Sequence, residues 1–433
     1  MNILKTIKNF FTKVYKKNLS KINDPIIVMR NKHNISRKNI SNHVLKVLYT
    51  LKDHGYQSYL VGGGVRDLLL KINPKDFDVA TNAYPEKIKK IFKRGYIIGK
   101  RFQLVHVCFD HHIVEVATFR ANHRGKHSKE GMILRDNVYG NIEEDVVRRD
   151  FTINALYYNI ADYTILDYVG GIEDLINKKI CLIGDPEVRY REDPVRMLRA
   201  IRFAAKLGFN IQPETEKPLF SLGGLLLNIS SVRLYDEYVK LFFTGHPVES
   251  YQLLKLYKLL NILFPNFNNL LSSEKYVKHF ESFIMHALKD IANKKYDYKE
   301  FTPAYLIAVF LWYSVLEQVK IYTEKSNNSQ EKESDFIVYK KVAEQLLSKQ
   351  NQVVNLSRKI VICIKDIWFF QIKLAKLTAK PGKRADKLIN SHKFKMAFEF
   401  MQLRALAADK KAQKITKWWS KYLATKGNVN KVV

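Results

Sequence analysis

Two acidic residues with one residue between them, Asp76 and Asp78, have the spacing of a metal-binding carboxylate pair. The segment Asp76–Thr81 alternates polar and apolar residues, which predicts a β-strand with both carboxylates on one face. Two anions this close repel each other unless a cation lies between them, and oxygen ligands of this type suit Mg²⁺. A solvated pair at a strand end has the same pattern, so the pair alone leaves both interpretations open.

Three consecutive glycines, Gly62, Gly63 and Gly64, lie a dozen residues before that pair. They follow the short apolar segment Tyr59–Val61 and precede an apolar helical pattern, so the sequence predicts strand, glycine turn and helix. Glycine lets backbone N–H groups approach a ligand closely, and a helix amino terminus favours anions. Glycine runs also form simple turns. A phosphate cradle with Arg66, placed near metal-binding carboxylates, would indicate nucleotide chemistry.

A second group of charged residues lies on a helix predicted to begin near Asp193. Asp193 would cap this helix, and Pro194 suits its first turn. A stripe of basic residues follows at helical spacing, namely Arg196, Arg199, Arg202 and Lys206. In so basic a chain the stripe is either a solvated face or part of a binding site.

The elements that would position these residues are mixed at first and helical afterwards. Apolar residues recur at helical spacing from Ile40 to Leu51, and the segment from His106 to Arg120 predicts a β-hairpin. Beyond Glu192 helical periodicity continues almost to the end, with one polar break at Thr323–Asp335. The longest apolar segment, Pro303–Leu316, is shorter than the roughly 18 to 20 residues of a membrane span and predicts a buried helix. No stable membrane insertion is expected.

The composition favours an acidic partner. The 433 residues include 73 Lys+Arg and 42 Asp+Glu, a net charge of +31, while 46% hydrophobic residues exclude global disorder. Three scattered cysteines exclude a disulfide framework. A transition-metal site at His106, Cys108, His111 and His112 is not expected, because strand alternation separates their faces and their spacing matches no zinc site. A cytoplasmic location is expected. Trp418 and Trp419, among lysines, would either stack RNA bases or pack the helix core.

The first 21 residues are basic and amphipathic and lack the features of a secretory signal. Three interpretations stay open for them: a frayed basic extension, an RNA-contacting arm, or a helix at a membrane surface.

The motifs occur in a recognisable series. The segment LVGGGVRDLLLKINPKDFDVATNA resembles the signature of the class II nucleotidyltransferases, and IVEVATFR, RRDFTINALYYN and GDPEVRYREDPVRMLRAIRFAAKLGF follow in the family's order. This family contains CCA-adding tRNA nucleotidyltransferases and bacterial poly(A) polymerases within the polymerase-β-like superfamily. From Ile35 to Tyr422 the chain is more similar to the poly(A) polymerase branch.

The resemblance implies an α+β fold, with a polymerase-β-like nucleotidyltransferase head built on a small mixed sheet and a mostly α-helical remainder. We expect four segments, which are a basic extension (1–35), a catalytic head (36–170), a helical neck that recognises the base (171–265) and an RNA-binding body with the C-terminal region (266–433).

The resemblance also assigns roles to residues. Asp76 and Asp78 would bind the metal in a two-Mg²⁺ site, and Asp150 of the RRDF motif would be the third active-site carboxylate. Glu115, the lone charge in the strand pattern IVEVA, competes for that third role, but the RRDF motif is more specific and places Asp150 first. The residues that would bind the nucleotide are Gly62, Gly63, Arg66, Arg149, Asp193, Arg196 and Arg199.

The activity implied is template-independent transfer of AMP from ATP to RNA 3′ ends, a polyadenylation that promotes RNA decay. The enzyme would be a monomer that binds ATP and holds RNA without sequence preference. Two alternatives remain: a CCA-adding enzyme, which shares the catalytic motifs, and a catalytically silent RNA-binding protein of the same fold.

Overall fold

The computed structural model describes residues 24–99, 103–121, 138–266, 274–293, 302–327, 334–378 and 382–426. The chain divides into two compact units, Met1–Leu222 and Gly223–Val433. The amphipathic segment before residue 24 lies outside the described residues, as do residues 328–333 of the predicted polar break.

The first unit is built on a mixed sheet of eight strands in the order β1-β8-β7-β2-β3-β6-β5-β4. Strands β3 and β6 run parallel, and the other neighbours run antiparallel. The strands are β1 (Ile26–Val28), β2 (Ser58–Val61), β3 (Asp78–Thr81), β4 (Gly95–Ile98), β5 (Leu104–Phe109), β6 (His112–Thr118), β7 (Leu156–Asn159) and β8 (Ile165–Asp167).

The helices of this unit surround the sheet and continue the chain beyond it. They are α1 (Asn42–Asp53), α2 (Gly63–Leu69), α3 (Pro85–Ile91), α4 (Ile142–Arg148), α5 (Gly171–Ile176), α6 (Pro186–Glu192), α7 (Val195–Leu207), α8 (Pro213–Glu216) and α9 (Leu219–Leu222). A parallel pair of short strands, β9 (Lys179–Ile180) and β10 (Asn210–Ile211), lies apart from the large sheet. The predicted hairpin is confirmed as β5 and β6.

The two faces of the large sheet are packed differently. On one face α1 packs against β2, β3 and β6, and the Ser58 hydroxyl donates to the carbonyl of Leu48 in α1. On the other face, Ile142 and Val146 of α4 pack with Tyr59 and Tyr157 in one buried cluster. The centre of the sheet is therefore enclosed on both faces. This packing holds in place the ends of the central strands β2 and β3, where Val61 pairs with Asp78.

The second unit is helical in its described residues. It begins with a 3₁₀ segment, Gly223–Asn228, and continues as α10 (Ser231–Phe243), α11 (Pro247–Leu256), α12 (Leu260–Leu263), α13 (Glu274–Ala292), α14 (Thr302–Asn327), α15 (Asp335–Val353), α16 (Arg358–Leu377), α17 (Lys383–Ile389), α18 (Phe394–Leu406) and α19 (Lys410–Thr425). Helix α14 contains the predicted buried helix and packs against α13, α15 and α16.

Helix α14 is also long and apolar enough to cross a membrane by length and composition alone. The span Thr302–Lys325 passes that test, but 67% of its apolar window is buried inside the protein. Residues Tyr305 to Leu311 are fully buried. These properties are those of a core helix.

The predicted fold class, a small mixed sheet followed by helices, is confirmed. The boundaries of the four predicted segments do not coincide with those of the two compact units. Residues 26–28, assigned by sequence to the basic extension, form strand β1 and pair with β8, since three consecutive β-branched residues favour a strand. The division after Leu222 falls inside the predicted neck. The separation of a neck from a body stays a prediction.

Candidate active site

Two carboxylates on neighbouring strands define the centre of the candidate site. Asp78 is the first residue of β3, and the parallel register places it opposite Glu115 of β6. Opposed residues lie on the same face of a sheet, and both side chains are open to solvent. Asp76 is exposed too. The alternation predicted it on the strand, but it lies in the connection before β3, which begins at Asp78.

The pKa of Asp78 is raised from its ordinary value. Desolvation by the surrounding protein is the largest cause, and the negative charge of Glu115 comes next. Asp76 raises the pKa further, whereas Arg149 and Arg199 act in the opposite direction. Ionised Asp78 is therefore held at an energetic cost, which a cation between these acids would offset.

The glycine turn lies directly beside Asp78. Val61 at the end of β2 pairs with Asp78, and Gly62 follows with φ of 69°. A Cβ on Gly62 would lie 3.7 Å from Oδ2 of Asp78 and 3.6 Å from Nη1 of Arg149. The positive φ favours glycine, and the absence of a side chain keeps the space beside the carboxylate open.

The next two glycines allow close packing behind the turn. A Cβ on Gly64 would lie 3.2 Å from Cδ1 of Phe77, and one on Gly63 would lie 3.5 Å from Nη2 of Arg66. The residue between the two aspartates thus rests against the glycine turn. The glycine turn and the two aspartates, which are close in the sequence, are therefore also close in the structure.

Arg66 points inward from this turn. Its side chain is buried, its Nη1 donates to Oδ1 of Asn154 at 2.6 Å, and its Nε donates to Oδ1 of Asp67 at 2.8 Å. The second oxygen of Asp67 accepts from Nζ of Lys206 at 3.0 Å. A phosphate contact would require this buried guanidinium to leave its partners. The nucleotide-binding role of Arg66 stays a prediction.

Asp150 is surrounded by hydrogen-bond donors. Its Oδ2 accepts from Nε of Arg199 at 2.7 Å, and its Oδ1 accepts from the backbone N–H of Phe151 at 2.8 Å and from Nδ2 of Asn154 at 3.3 Å. Burial favours a higher pKa, but the charge of Arg199 and these hydrogen bonds lower the pKa of Asp150 to about 2.

The two candidates for the third carboxylate therefore differ in their surroundings. Both oxygens of Asp150 are occupied by donors, whereas Glu115 is 53% exposed and has His106 Nε2 at 3.4 Å from its Oε1. Glu115 also lies opposite Asp78 in the register. Asp150 is thus the partner of Arg199, and Glu115 faces Asp78 with its carboxylate partly open to solvent. Which of the two is the third active-site carboxylate stays a prediction.

Arg149 is oriented toward the carboxylates by a buried pair of side chains. Its Nε donates to the hydroxyl of Tyr157 at 2.6 Å, and its Nη2 donates to Oδ2 of Asp145 at 3.0 Å. Although burial acts to lower it, the pKa of Arg149 is raised, because Tyr157 and Asp145 stabilise its charge. With Nη1 directed past Gly62, Arg149 is the cationic side of the site.

Asp193 and Arg196 lie in a compact cluster of charges where α6 meets α7. Asp193 is the C-cap of α6, and Pro194 is the N-cap of α7. The prediction that Asp193 caps α7 is therefore wrong. Arg196 is 8% exposed; its Nη1 donates to the carbonyl of Arg189 at 2.8 Å and to Oε2 of Glu192 at 3.1 Å.

Arg189 joins this cluster to the RRDF motif, a connection that the sequence analysis missed. Its Nη2 donates to the carbonyls of Arg148 at 2.8 Å and Arg149 at 2.7 Å, and its Nη1 donates to Glu192. Burial and the charge of Arg196 lower the pKa of Arg189 to about 10. Its place one turn before the Glu-Asp-x-x-Arg motif was the signal available in the sequence.

The basic stripe of α7 faces the protein. Arg199 binds Asp150 and Lys206 binds Asp67. The guanidinium carbons of Arg199 and Arg202 lie 5.4 and 4.5 Å from the ring centre of Phe203. The solvated-face interpretation of this stripe is therefore not supported for these residues.

The remaining aromatic and metal hypotheses are resolved in part. Trp419 is fully buried and donates from its ring nitrogen to the carbonyl of Leu374 at 3.0 Å, so it packs the core. Trp418 stacks on Tyr422 with ring centres 5.0 Å apart. Over the described ranges, no group of three or more His, Cys, Asp and Glu residues is placed so that it could hold a metal ion.

Comparisons with known proteins show three matching domains and closely similar relatives. The Poly A polymerase head domain matches residues 58–181, a domain described as a probable RNA and SrmB-binding site of polymerase A matches 208–271, and the polymerase A arginine-rich C-terminus matches 331–432. Poly(A) polymerase I of Salmonella typhimurium is 41% identical over 434 residues, which cover 97% of this chain and 91% of the relative. The chain belongs to the bacterial poly(A) polymerase I family.

The CCA-adding enzymes match over a smaller part of the sequence. That of Lactobacillus helveticus is 39% identical over 211 residues, which cover 48% of this chain and 52% of the relative. A crystal structure of the Bacillus stearothermophilus CCA-adding enzyme in complex with CTP superimposes with a TM-score of 0.56 at 26% identity, covering 88% of this chain and 81% of that one. The chain is thus a nucleotidyltransferase of the poly(A) polymerase branch, as the motif series predicted.

Proposed function

We propose that this protein transfers AMP from ATP to the 3′-hydroxyl of RNA without a template and releases pyrophosphate. The observation that carries the proposal at the site is Asp78 opposite Glu115, with the glycine turn in contact beside them. The match to poly(A) polymerase I over 97% of this chain and 91% of the relative supports adenylate addition. The match to CCA-adding enzymes covers about half of the chain, which makes that activity the less supported alternative. Intact carboxylates argue against a silent RNA-binding protein.

The acids of the site fit Mg²⁺. Asp78 and Glu115 with exposed Asp76 offer hard oxygen ligands, and the raised pKa of Asp78 marks a place where positive charge is favourable. Mg²⁺ in nucleotide sites is commonly held by one or two carboxylates together with substrate phosphates, so the protein need not supply a complete ligand set. Bound there, Mg²⁺ would lower the pKa of the attacking hydroxyl and neutralise charge on the triphosphate.

The remaining side chains bind and orient the substrates. Arg149, fixed by Tyr157 and Asp145, would contact the sugar or phosphates of ATP beside the open space at Gly62. Asp193 and Arg196 would face the base from the α6–α7 junction, with Glu192 and Arg189 holding Arg196 in place. The Asp150–Arg199 pair would connect the α6–α7 junction to the region of Asp78 and Glu115. It would thereby fix the position of the base-binding residues relative to the carboxylates.

RNA would be held mainly through its backbone. A net charge of +31 supports sequence-independent contacts to phosphates, which weaken as salt rises because counterions are released on binding. The predicted monomeric state and cytoplasmic location stay predictions.

The proposal is tested by the product that the protein makes. The purified chain is incubated with Mg²⁺ and either ATP or CTP, on a generic RNA and on a tRNA that lacks its CCA end. We expect long adenosine tails on the generic RNA and CTP incorporation at least about tenfold lower, because unmatched buried polar groups cost about 1–3 kcal/mol. Asp78→Asn is the inactive control. Addition of two C and one A to the tRNA, followed by a stop, would instead establish the CCA-adding alternative.

A further inference from the structure

The sheet face that carries Asp78 and Glu115 is covered unevenly. Over its central strands the face is buried, with Val61, Ala80 and Tyr157 packed beneath Ile142 and Val146 of α4. Over β4, β5 and β6 the described part of the same face is open: Tyr96 is 56% exposed, Ile98 44% and Ile113 58%. The two carboxylates lie at the boundary between the covered and open halves.

The open half does not result from loose packing of these strands. The alternate residues on the opposite face, Val105, Val107, Val114 and Val116, are at most 2% exposed. Helices α1 and α3 cover that side, since α1 packs against β6 and α3 packs against β4 and β5. Because the strands are rigidly packed on one side, their other side presents a flat surface of fixed shape. We call it the sheet platform; its residues are Tyr96, Ile98, Leu104, His106, Cys108 and Ile113.

One line of side chains crosses the platform and ends at the active site. The register pairs Tyr96 with His106, His106 with Glu115, and Glu115 with Asp78. At about 4.8 Å per strand, Tyr96 is about 14 Å from Asp78 along this line. His106 forms the junction, with its Nε2 at 3.4 Å from Oε1 of Glu115. An extended molecule lying along the line would meet an aromatic ring, an imidazole and then the carboxylates.

We propose that the sheet platform binds the bases at the 3′ end of the acceptor RNA. Large exposed apolar surfaces on a folded protein mark binding sites, and flat sheets with aromatic or histidine rings stack unpaired bases without requiring a sequence. RNA is favoured over other occupants because the platform is continuous with the carboxylates to which the 3′-hydroxyl must come. Lys93, exposed just before β4, would add a phosphate contact at the outer edge. This inference rests on the proposed function.

The test is an RNA-binding measurement on the full chain without ATP or metal. A fluorescent oligoadenylate that ends in 3′-deoxyadenosine is titrated against the protein, and Kd is obtained from anisotropy. Tyr96→Ala should raise Kd about tenfold, the order expected for the loss of one stacked base. Tyr96→Phe should bind as the wild type does, since it retains the ring. The matched control is Ile27→Ala, a residue 52% exposed on β1 at the opposite edge of the sheet, which should not change Kd.

Kinetics and crosslinking locate the effect. With Tyr96→Ala, KM for RNA should rise while KM for ATP does not, and an RNA ending in 4-thiouridine should crosslink to the peptides that contain β4 to β6. Equal binding by Tyr96→Ala and the wild type, or a change only in KM for ATP, would overturn the proposal and leave the open face to a nucleotide or a protein partner. Failure here leaves the adenylyl transfer itself intact, whereas an active Asp78→Asn variant would refute the metal site and not the platform.

Discussion

Six acidic residues in and around the candidate site of the first unit lie in two kinds of surroundings. Where the open half of the sheet face begins, Asp78 has Glu115 and Asp76 as negative neighbours, and its pKa is raised by desolvation and by their charges. Around α2, α4 and α7, Asp67, Asp145 and Asp150 each accept hydrogen bonds from an arginine or lysine side chain. The negative charge of an aspartate is thus disfavoured at Asp78, whereas basic side chains stabilise the charge of the paired aspartates.

We propose that this difference separates residues that act on the substrate from residues that hold them in place. An acid whose oxygens are occupied by arginine cannot bind a metal without breaking that pair, and a partnerless buried charge is expensive. Two acids that face each other with oxygens open to solvent are poorly stabilised by the protein and well suited to a cation. We infer that the paired acids form the scaffold and that the opposed acids carry the chemistry.

The largest expected effect is on the rate of AMP transfer in Asp78→Asn. Loss of this carboxylate should lower kcat on the order of 1,000-fold or more, because charge stabilisation is the main contribution to phosphoryl transfer. The fold should be kept, since the change removes a repulsion with Glu115. Single-turnover incorporation of labelled AMP measures the rate, and circular dichroism monitors folding. Asp53→Asn, an exposed acid of α1, is the matched control. Retention of a tenth of wild-type activity would contradict the assignment.

The next effect is on stability, in Asp150→Asn. Removal of one partner from this largely buried pair leaves Arg199 without its carboxylate and should lower the free energy of unfolding by about 2–3 kcal/mol. Urea unfolding of the variant and of Arg199→Met gives the two single costs, and the double variant gives their coupling. Additive costs would show that the pair contributes nothing as a unit.

The two regions should respond to pH with opposite signs. The pKa of folded Asp150 is about 2, below its unfolded value of about 3.9, so this group contributes stability above pH 4 and loses it as pH falls from about 4 to 2. Its contribution at neutral pH is about 2–3 kcal/mol. Asp78 has a raised pKa and costs stability once ionised. In acid unfolding, Asp150→Asn should therefore flatten the loss of stability below pH 4, whereas Asp78→Asn should raise stability above the pKa of Asp78.

The smallest effect concerns the hydroxyl that holds Arg149. Tyr157 donates to Oδ2 of Asp145 and accepts from Nε of Arg149, both at 2.6 Å. Tyr157→Phe removes these bonds but leaves the Arg149–Asp145 pair, so the unfolding free energy should fall by only about 1 kcal/mol. KM for ATP should rise more than kcat falls, because Arg149 loses orientation and not charge. An unchanged KM for ATP would show that Arg149 does not contact the nucleotide.

Local patterns in the sequence predicted the open region well. Alternation located the strand after Asp76, three glycines located the turn, and hydrophobic periodicity identified the helix from Pro303. These features depend on residues near one another in the chain. Only the start of β3 was misplaced, since Asp76 belongs to the connection.

The paired region could not be predicted in the same way, because its partners are distant in the sequence. Asp150 binds Arg199, Arg66 binds Asn154, and Asp67 binds Lys206. Residue type alone does not show whether an arginine faces a phosphate or a buried carboxylate. The motif places Asp150 among the catalytic acids and Arg66 among the phosphate ligands, and it does not reveal the buried partners that the structure gives to both.

Metal binding by the four variants tests the central distinction most directly. Mn²⁺ is titrated into wild type, Asp78→Asn, Glu115→Gln, Asp145→Asn and Asp150→Asn with a non-hydrolysable ATP analogue present, and free Mn²⁺ is measured by electron paramagnetic resonance. We expect Asp78→Asn and Glu115→Gln to weaken Mn²⁺ binding at least tenfold, the equivalent of about 1.4 kcal/mol, while folded Asp145→Asn and Asp150→Asn bind as the wild type does. Loss of binding in Asp150→Asn together with retention in Glu115→Gln would contradict this distinction.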